Sequence, residues 1–126
     1  MAVREYIKAA ASDLLNAATH LREQMQIENA EMERSIANLN QHINLANQEL
    51  KELDAEDYAA EDARRESEIE QRRRELESEI ERFQREVQQL TNDLRDNTGK
   101  KSELASKLQQ KSGEVESLSA DPTAQS

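Results

Sequence analysis

The sequence predicts an all-α protein: a long antiparallel helical hairpin of coiled-coil type that oligomerises into a helical bundle. Of 126 residues, 35% are charged and only 2% are aromatic, so the chain lacks the bulky apolar material of a compact globular core. Two glycines and one proline leave long windows of strong helix formers. The apolar side chains recur at steps of three and four, a spacing typical of coiled coils and not of disordered chains.

The first predicted helix covers residues 3 to about 54. Its apolar seam consists of Val3, Ile7, Ala10, Leu14, Ala17, Leu21, Met25, Met32, Ile36, Leu39, Ile43, Ala46, Leu50 and Leu53. Glu28 also occupies a seam position. A polar residue in a seam typically sets the register of the paired helices at a cost in stability, so we expect that role for Glu28.

The second predicted helix covers residues 61 to about 118. Its seam consists of Ile69, Leu76, Ile80, Phe83, Val87, Leu90, Leu94, Leu104, Leu108, Val115 and Leu118. Four polar residues also fall on it and are expected to set register: Arg73, Asn97, Lys101 and Lys111. The segment Asp96–Gly99 resembles a turn locally, but the heptad phase predicts one uninterrupted helix there. A second turn at 96–99 is the alternative.

The connection is predicted at residues 55–60, because Leu53 and the start of the second seam at residue 62 are nine residues apart, which is not a heptad step. This segment has no Gly, Pro or Asn, so Asp54 or Asp57 is the expected N-cap of the second helix. A continuous helix with a phase slip, which would have to dimerise, is the alternative architecture. Residues 1–118 then form a single coiled-coil domain, and 119–126, which contain Pro122, a disordered tail.

A fold-back between Asp57 and Tyr58 pairs residues whose numbers sum to about 115, for example Leu39 with Leu76. The end of the second seam then extends beyond Val3 without a partner, and additional apolar residues widen the stripe of the first helix near its N-terminus. The open end of the hairpin is therefore the predicted site of contact with another copy or with a protein partner. The residues assigned to this contact are Ala11, Leu15, Ala18, Val115 and Leu118.

Candidate chemical sites are few. With no cysteine, thiolate metal sites and disulfides are excluded, and His20 with Glu23 is a surface pair rather than a metal site. The seven arginines between Arg64 and Arg85 alternate with glutamates at helical spacing, which indicates mutual neutralisation rather than a phosphate site. We therefore predict no catalytic, cofactor-binding or metal-binding residue.

The predicted function is that of a non-enzymatic structural or scaffold coiled-coil protein, acting through self-association or protein binding. The alternative is a small cytoplasmic chaperone or regulator that binds a client through an exposed apolar stripe. The net charge of −10 argues against a nucleic-acid partner. No apolar run is long enough for a membrane span, and nothing resembles a signal peptide, so the expected location is the cytoplasm.

Overall fold

The computed structural model describes residues 2–59 and 62–120, and it is an all-α hairpin. Two long helices, α1 (Val3–Ala59) and α2 (Ala63–Ser117), pack against each other in antiparallel directions. A short 3₁₀ helix, Leu118–Ala120, follows α2. No strand occurs among the described residues. The predicted fold class of an all-α helical hairpin is confirmed, and the alternative of one continuous helix is wrong.

The connection lies later in the chain than the sequence analysis predicts. Helix α1 continues to Ala59, five residues beyond the expected end, because residues 54–59 contain no helix-breaking residue. Asp62 caps α2: its Oδ1 accepts a hydrogen bond from the backbone N–H of Arg65 at 2.7 Å. The expected N-caps, Asp54 and Asp57, are therefore wrong, since both lie inside α1. Residue 60, the last of the predicted turn, lies outside the described residues.

Helix α2 runs without interruption through residues 96–99, so the alternative of a second turn is wrong. The Thr98 hydroxyl donates to the Leu94 carbonyl oxygen one helical turn earlier at 2.8 Å. None of the described residues has a positive φ. Ser119 and Ala120, the first residues of the predicted tail, belong to the 3₁₀ helix, and residues 121–126 of that tail lie outside the described part.

The contacts between α1 and α2 fall into two groups. We call residues 1–30 and 94–126 the terminal half, and residues 31–93 the turn half. In the turn half, large side chains form the core. Burial of one Leu or Ile contributes about 1.5–3 kcal/mol, so these residues supply most of the stabilisation there. The cluster consists of Ala46, Leu53, Ile69 and Leu76, with Leu50 and Ile80 packed against it.

In the terminal half, small side chains form the buried contact. Ala18 and Ala105 are fully buried, and Ala11 and Ser112 nearly so. The Ser112 hydroxyl donates to the backbone carbonyl oxygen of Ala11 at 2.6 Å. Because a serine side chain has only one carbon and one oxygen, this bond requires the backbones of α1 and α2 to lie close together there.

This close packing corrects the seam predicted for the terminal half. The buried residues are Ala11 and Ala18, whereas Ala10 and Ala17, expected in the seam, are exposed. In α2 the buried row likewise lies one residue later, at Ala105 and Ser112. The residues left exposed there are Leu104, Lys111 and Leu118. Both rows have heptad spacing. In α2 the buried row has the smaller residues, Ala105 and Ser112, which allow the closer helix contact, whereas in α1 both rows are alanines.

The pairing register is also shifted by one heptad. In the contacts Glu49–Arg72 and Glu56–Arg65 the two residue numbers sum to 121. In the contact of Ser112 with Ala11 they sum to 123. The expected sum of about 115 is wrong by roughly one heptad, because α1 ends later than predicted. A shift of seven residues leaves seam positions facing seam positions, so the apolar pattern does not distinguish the two registers.

Replacing Ala18 by Leu is expected to lower the free energy of unfolding by about 1–3 kcal/mol, because the added methylenes have no space between the two backbones. Ala9→Leu, at an exposed position of the same helix, is the matched control and should change stability by less than about 0.5 kcal/mol. Urea unfolding followed by circular dichroism measures both. Equal effects of the two substitutions would contradict the assigned seam.

Cysteine pairs test the register directly, since the chain has no cysteine of its own. Ala46→Cys with Leu76→Cys should form an intramolecular disulfide on oxidation at high dilution, because both residues belong to one buried cluster. Leu39→Cys with Leu76→Cys, the pair of the register that sums to 115, should remain reduced. Thiol titration and non-reducing electrophoresis distinguish them, and the opposite result would show the shifted register to be wrong.

Candidate protein–protein interface

The two halves differ in charge. Residues 31–93 contain nine Lys or Arg and eighteen Asp or Glu, a net charge of −9. Residues 1–30 and 94–126 contain eight basic and nine acidic residues, a net charge of −1. Nearly all of the −10 charge of the chain therefore belongs to the turn half. Contacts between two turn halves are opposed by charge repulsion, and contacts between two terminal halves are not.

The exposed apolar side chains have the opposite distribution. Among the side chains that the structure describes, seven large apolar ones are exposed, and only Leu45 belongs to the turn half. The six in the terminal half are Val3, Tyr6, Leu15, Ile27, Leu104 and Leu118. Isolated apolar residues on a surface are ordinary, but several in one electrically neutral region are typical of an interaction surface.

The two halves differ in the types of residue that lie in the rows directly beside the seam. In heptad notation the seam is formed by positions a and d, and the flanking rows are e and g. In the turn half the g rows form ion pairs: Arg72 Nε and Nη2 bind the two carboxylate oxygens of Glu49, both at 3.0 Å, and Arg65 binds Glu56. The hydrogen bonds that Arg72 donates to Glu49, and then to Glu75, raise the pKa of Arg72 above its ordinary value.

In the part of the terminal half nearest the open end, residues 3–17 and 104–118, the corresponding g rows are apolar except at Lys111. Taking Ala11, Ala18, Ala105 and Ser112 as position a places Gln24 and Asn97 in row g towards the turn half. Towards the open end it places three residues of each helix in row g, seven residues apart. We call these six exposed residues the g face: Val3, Ala10 and Ala17 from α1, and Leu104, Lys111 and Leu118 from α2. Because e rows face e rows and g rows face g rows in antiparallel helices, all six lie on one side of the hairpin.

The e rows on the opposite side are polar. Arg22 donates to the Gln109 side-chain oxygen at 2.8 Å, and the Ser102 hydroxyl lies 3.4 Å from the sulfur of Met25. Leu15 is the exception, and it lines a shallow depression together with Lys8 and Glu116. The terminal half therefore has one largely apolar side and one polar side.

The five residues predicted to contact a partner are distributed unequally. Ala11 and Ala18 are buried by the hairpin itself, so they are not on the surface available to another protein. Leu15 is exposed on the e side, and Leu118 on the g face. Val115 is half-buried in the seam. Contact of any of these residues with a partner remains a prediction.

The expectation that Val115 and Leu118 extend beyond the end of α1 is wrong. In the observed register the last turn of α2 lies beside the first turn of α1, where Arg4 Nε donates to the carbonyl oxygen of Ser119 at 3.2 Å. Ala10, Ala17 and Leu104 were predicted in the seam and not on the surface, so their exposure is a correction. The sequence contained a signal that could have identified them: a second row of residues, also repeating every seven positions, lies directly beside the predicted seam.

Polar seam residues bond to one another across the hairpin. In the terminal half, Asn29 donates to the Thr98 hydroxyl at 2.8 Å and accepts from the Asn97 amide at 3.0 Å, while Lys101 pairs with Glu28. We call these five residues the polar layer. Because each bond joins a residue of α1 to a residue of α2, a slide of one helix along the other would break them.

In the turn half, Arg73 has the equivalent role of a charged seam residue. Its guanidinium pairs with Asp54 at 2.8 Å and with Asp57 at 3.6 Å, both in α1. Lys111, also expected to set register, instead lies outside the observed seam, and its ammonium is 3.6 Å from Glu114 of the same helix. The arginines between Arg64 and Arg85 are partly neutralised by helical glutamates, as in the pair of Arg74 with Glu70.

The histidines do not form a metal site in the part of the chain that the structure describes. His20 and Glu23 are exposed, and no group of three possible metal ligands occurs among the described residues. His42 stacks on Phe83 with the ring centroids 5.8 Å apart, so its ring is used in packing between the helices. None of the described helices has an apolar stretch long enough to span a membrane.

Replacing Asn29 by Ala should lower the free energy of unfolding by about 1 kcal/mol relative to Asn16→Ala, because Thr98 and Asn97 lose their partner across the hairpin. Asn16 lies on the exposed side of the same helix, so its replacement has the same effect on helix propensity without the lost bonds. Chemical unfolding of both variants measures the difference. No difference between them would show that the polar layer does not stabilise the hairpin.

Comparison with protein-family models, with curated proteins and with solved structures finds no match to this chain. The functional conclusion therefore depends on the contacts, the exposure and the charge of the chain's own residues. Among these, the g face is the largely apolar side of a nearly neutral region. The terminal half is for that reason the candidate site of protein–protein contact.

Proposed function

We propose that the protein is a non-enzymatic structural or scaffold coiled-coil protein that acts through self-association or protein binding at its terminal half. One observation supports this most strongly: six of the seven exposed large apolar side chains in the described part of the chain belong to that half. Its net charge of −1 allows close contact with another protein surface, whereas the turn half carries −9.

The inner surfaces of both helices are occupied by helix–helix contacts, which also supports a structural role. The polar groups of the seam bond to each other, as in the polar layer and in the pairing of Arg73 with Asp54. The outer surface is left for contact with other proteins. A place of action in the cytoplasm and the absence of a nucleic-acid partner are part of the same proposal.

The experiment is capture of the tagged protein from its own cells after chemical cross-linking, comparing three chains. The wild type and Leu45→Glu, the control in the turn half, should recover the same proteins, either another copy of the chain or a foreign partner. Leu104→Glu combined with Leu118→Glu should lose them, because each introduces a carboxylate on an apolar surface.

Circular dichroism of the purified variants provides the control for folding, since all three positions are exposed and helicity should be unchanged. Recovery of the same proteins by the terminal variant would mean that this half is not the contact surface. A catalytic activity that depends on a residue of the chain would contradict the non-enzymatic part of the proposal.

A further inference from the structure

We infer that the g face binds a second copy of this chain, so that the terminal halves of two hairpins form a four-helix bundle. This inference rests on the proposed function and names its partner and its surface. The two halves differ in the residues of row g, beside the seam. Row g of the turn half pairs Glu49 with Arg72, whereas the g face is apolar at five of its six positions.

The side chains of the g face suit close packing by another helix pair. Ala10 and Ala17 are small and exposed, so they leave space into which side chains of a facing helix fit as knobs into holes. Leu104 and Leu118, each about half exposed, provide the apolar area that such contacts bury. Apolar flanking rows of this kind widen the stripe of a two-helix pair and are typical of helices that enter larger bundles.

The size of the surface fits a stable dimer. Within the terminal half, α1 covers residues 3–30, a length of about 42 Å at 1.5 Å per residue. Two adjacent helices present a side about 20 Å wide, so one side of this half has an area of about 800 Å². That is about the area each partner buries in a standard protein–protein interface.

The charges at the edges of the g face suit a second copy in particular. In row c, the next row outward, the one charged residue of α1 is Asp13, whereas α2 carries Lys100, Lys107 and Glu114. Lys107 also lies 3.0 Å from the Glu103 carboxylate, in a pair exposed to solvent. In a two-fold dimer that packs α1 of one copy against α2 of the other, the edge with Asp13 meets an edge whose two lysines outnumber its one glutamate.

The test uses the purified full-length chain and measures its molar mass by light scattering and sedimentation equilibrium over a range of concentrations. The wild type is expected at twice the 14.4 kDa mass of one chain. Ala10→Glu combined with Ala17→Glu should weaken association at least about tenfold, because both carboxylates would be buried in the interface and the one at position 17 would face Leu104 without a charged partner. Both alanines are exposed in the hairpin, so its helicity should not change.

Two matched controls locate the surface. Leu15→Glu changes an exposed apolar residue on the e side, and Leu45→Glu changes one in the turn half, so neither should alter the dissociation constant by more than about twofold. A wild type that is monomeric at every concentration would overturn the inference, and so would a dimer weakened by Leu15→Glu but not by the alanine substitutions. A monomer that still captures a foreign protein through its terminal half would overturn only this inference and leave the proposed function standing.

Discussion

The position at which α1 ends controls every other contact in this hairpin. In antiparallel helices the partner of each residue depends on where the chain reverses. Here α1 reaches Ala59 and α2 begins at Ala63, with Asp62 as its N-cap. This reversal places Glu49 beside Arg72 and Ala11 beside Ser112. An earlier reversal would have given Glu49 and Arg72 different partners.

The apolar pattern limits the register without selecting one, because heptad spacing repeats every seven residues. Polar side chains supply the selection. The bonds among Asn29, Asn97 and Thr98 exist only in one alignment of α1 with α2, and the same is true of Arg73 with Asp54. Polar groups in a seam contribute little net stability, and their larger effect is that an incorrect alignment leaves them without partners.

The contrast between the halves links this packing to the proposed function. The turn half buries large side chains, surrounds them with ion pairs and carries most of the negative charge. The terminal half fully buries only alanines and a serine, and six of its large apolar residues are exposed. A seam made of small residues provides less apolar burial within the chain. Contact of the g face with another copy would add the burial that this seam lacks.

The amino-acid sequence by itself determined that the protein is helical, that it has two seams and that these fold into a hairpin, because helix propensity and heptad spacing are local properties. The excess of apolar residues near the open end led to the prediction of protein contacts there, and that stays a prediction. Only the tertiary structure decided whether Ala10 or Ala11, and Leu104 or Ala105, faces the partner helix. Both rows have the same spacing, and the choice depends on how closely two backbones approach, which is a property of the pair of helices and not of either one.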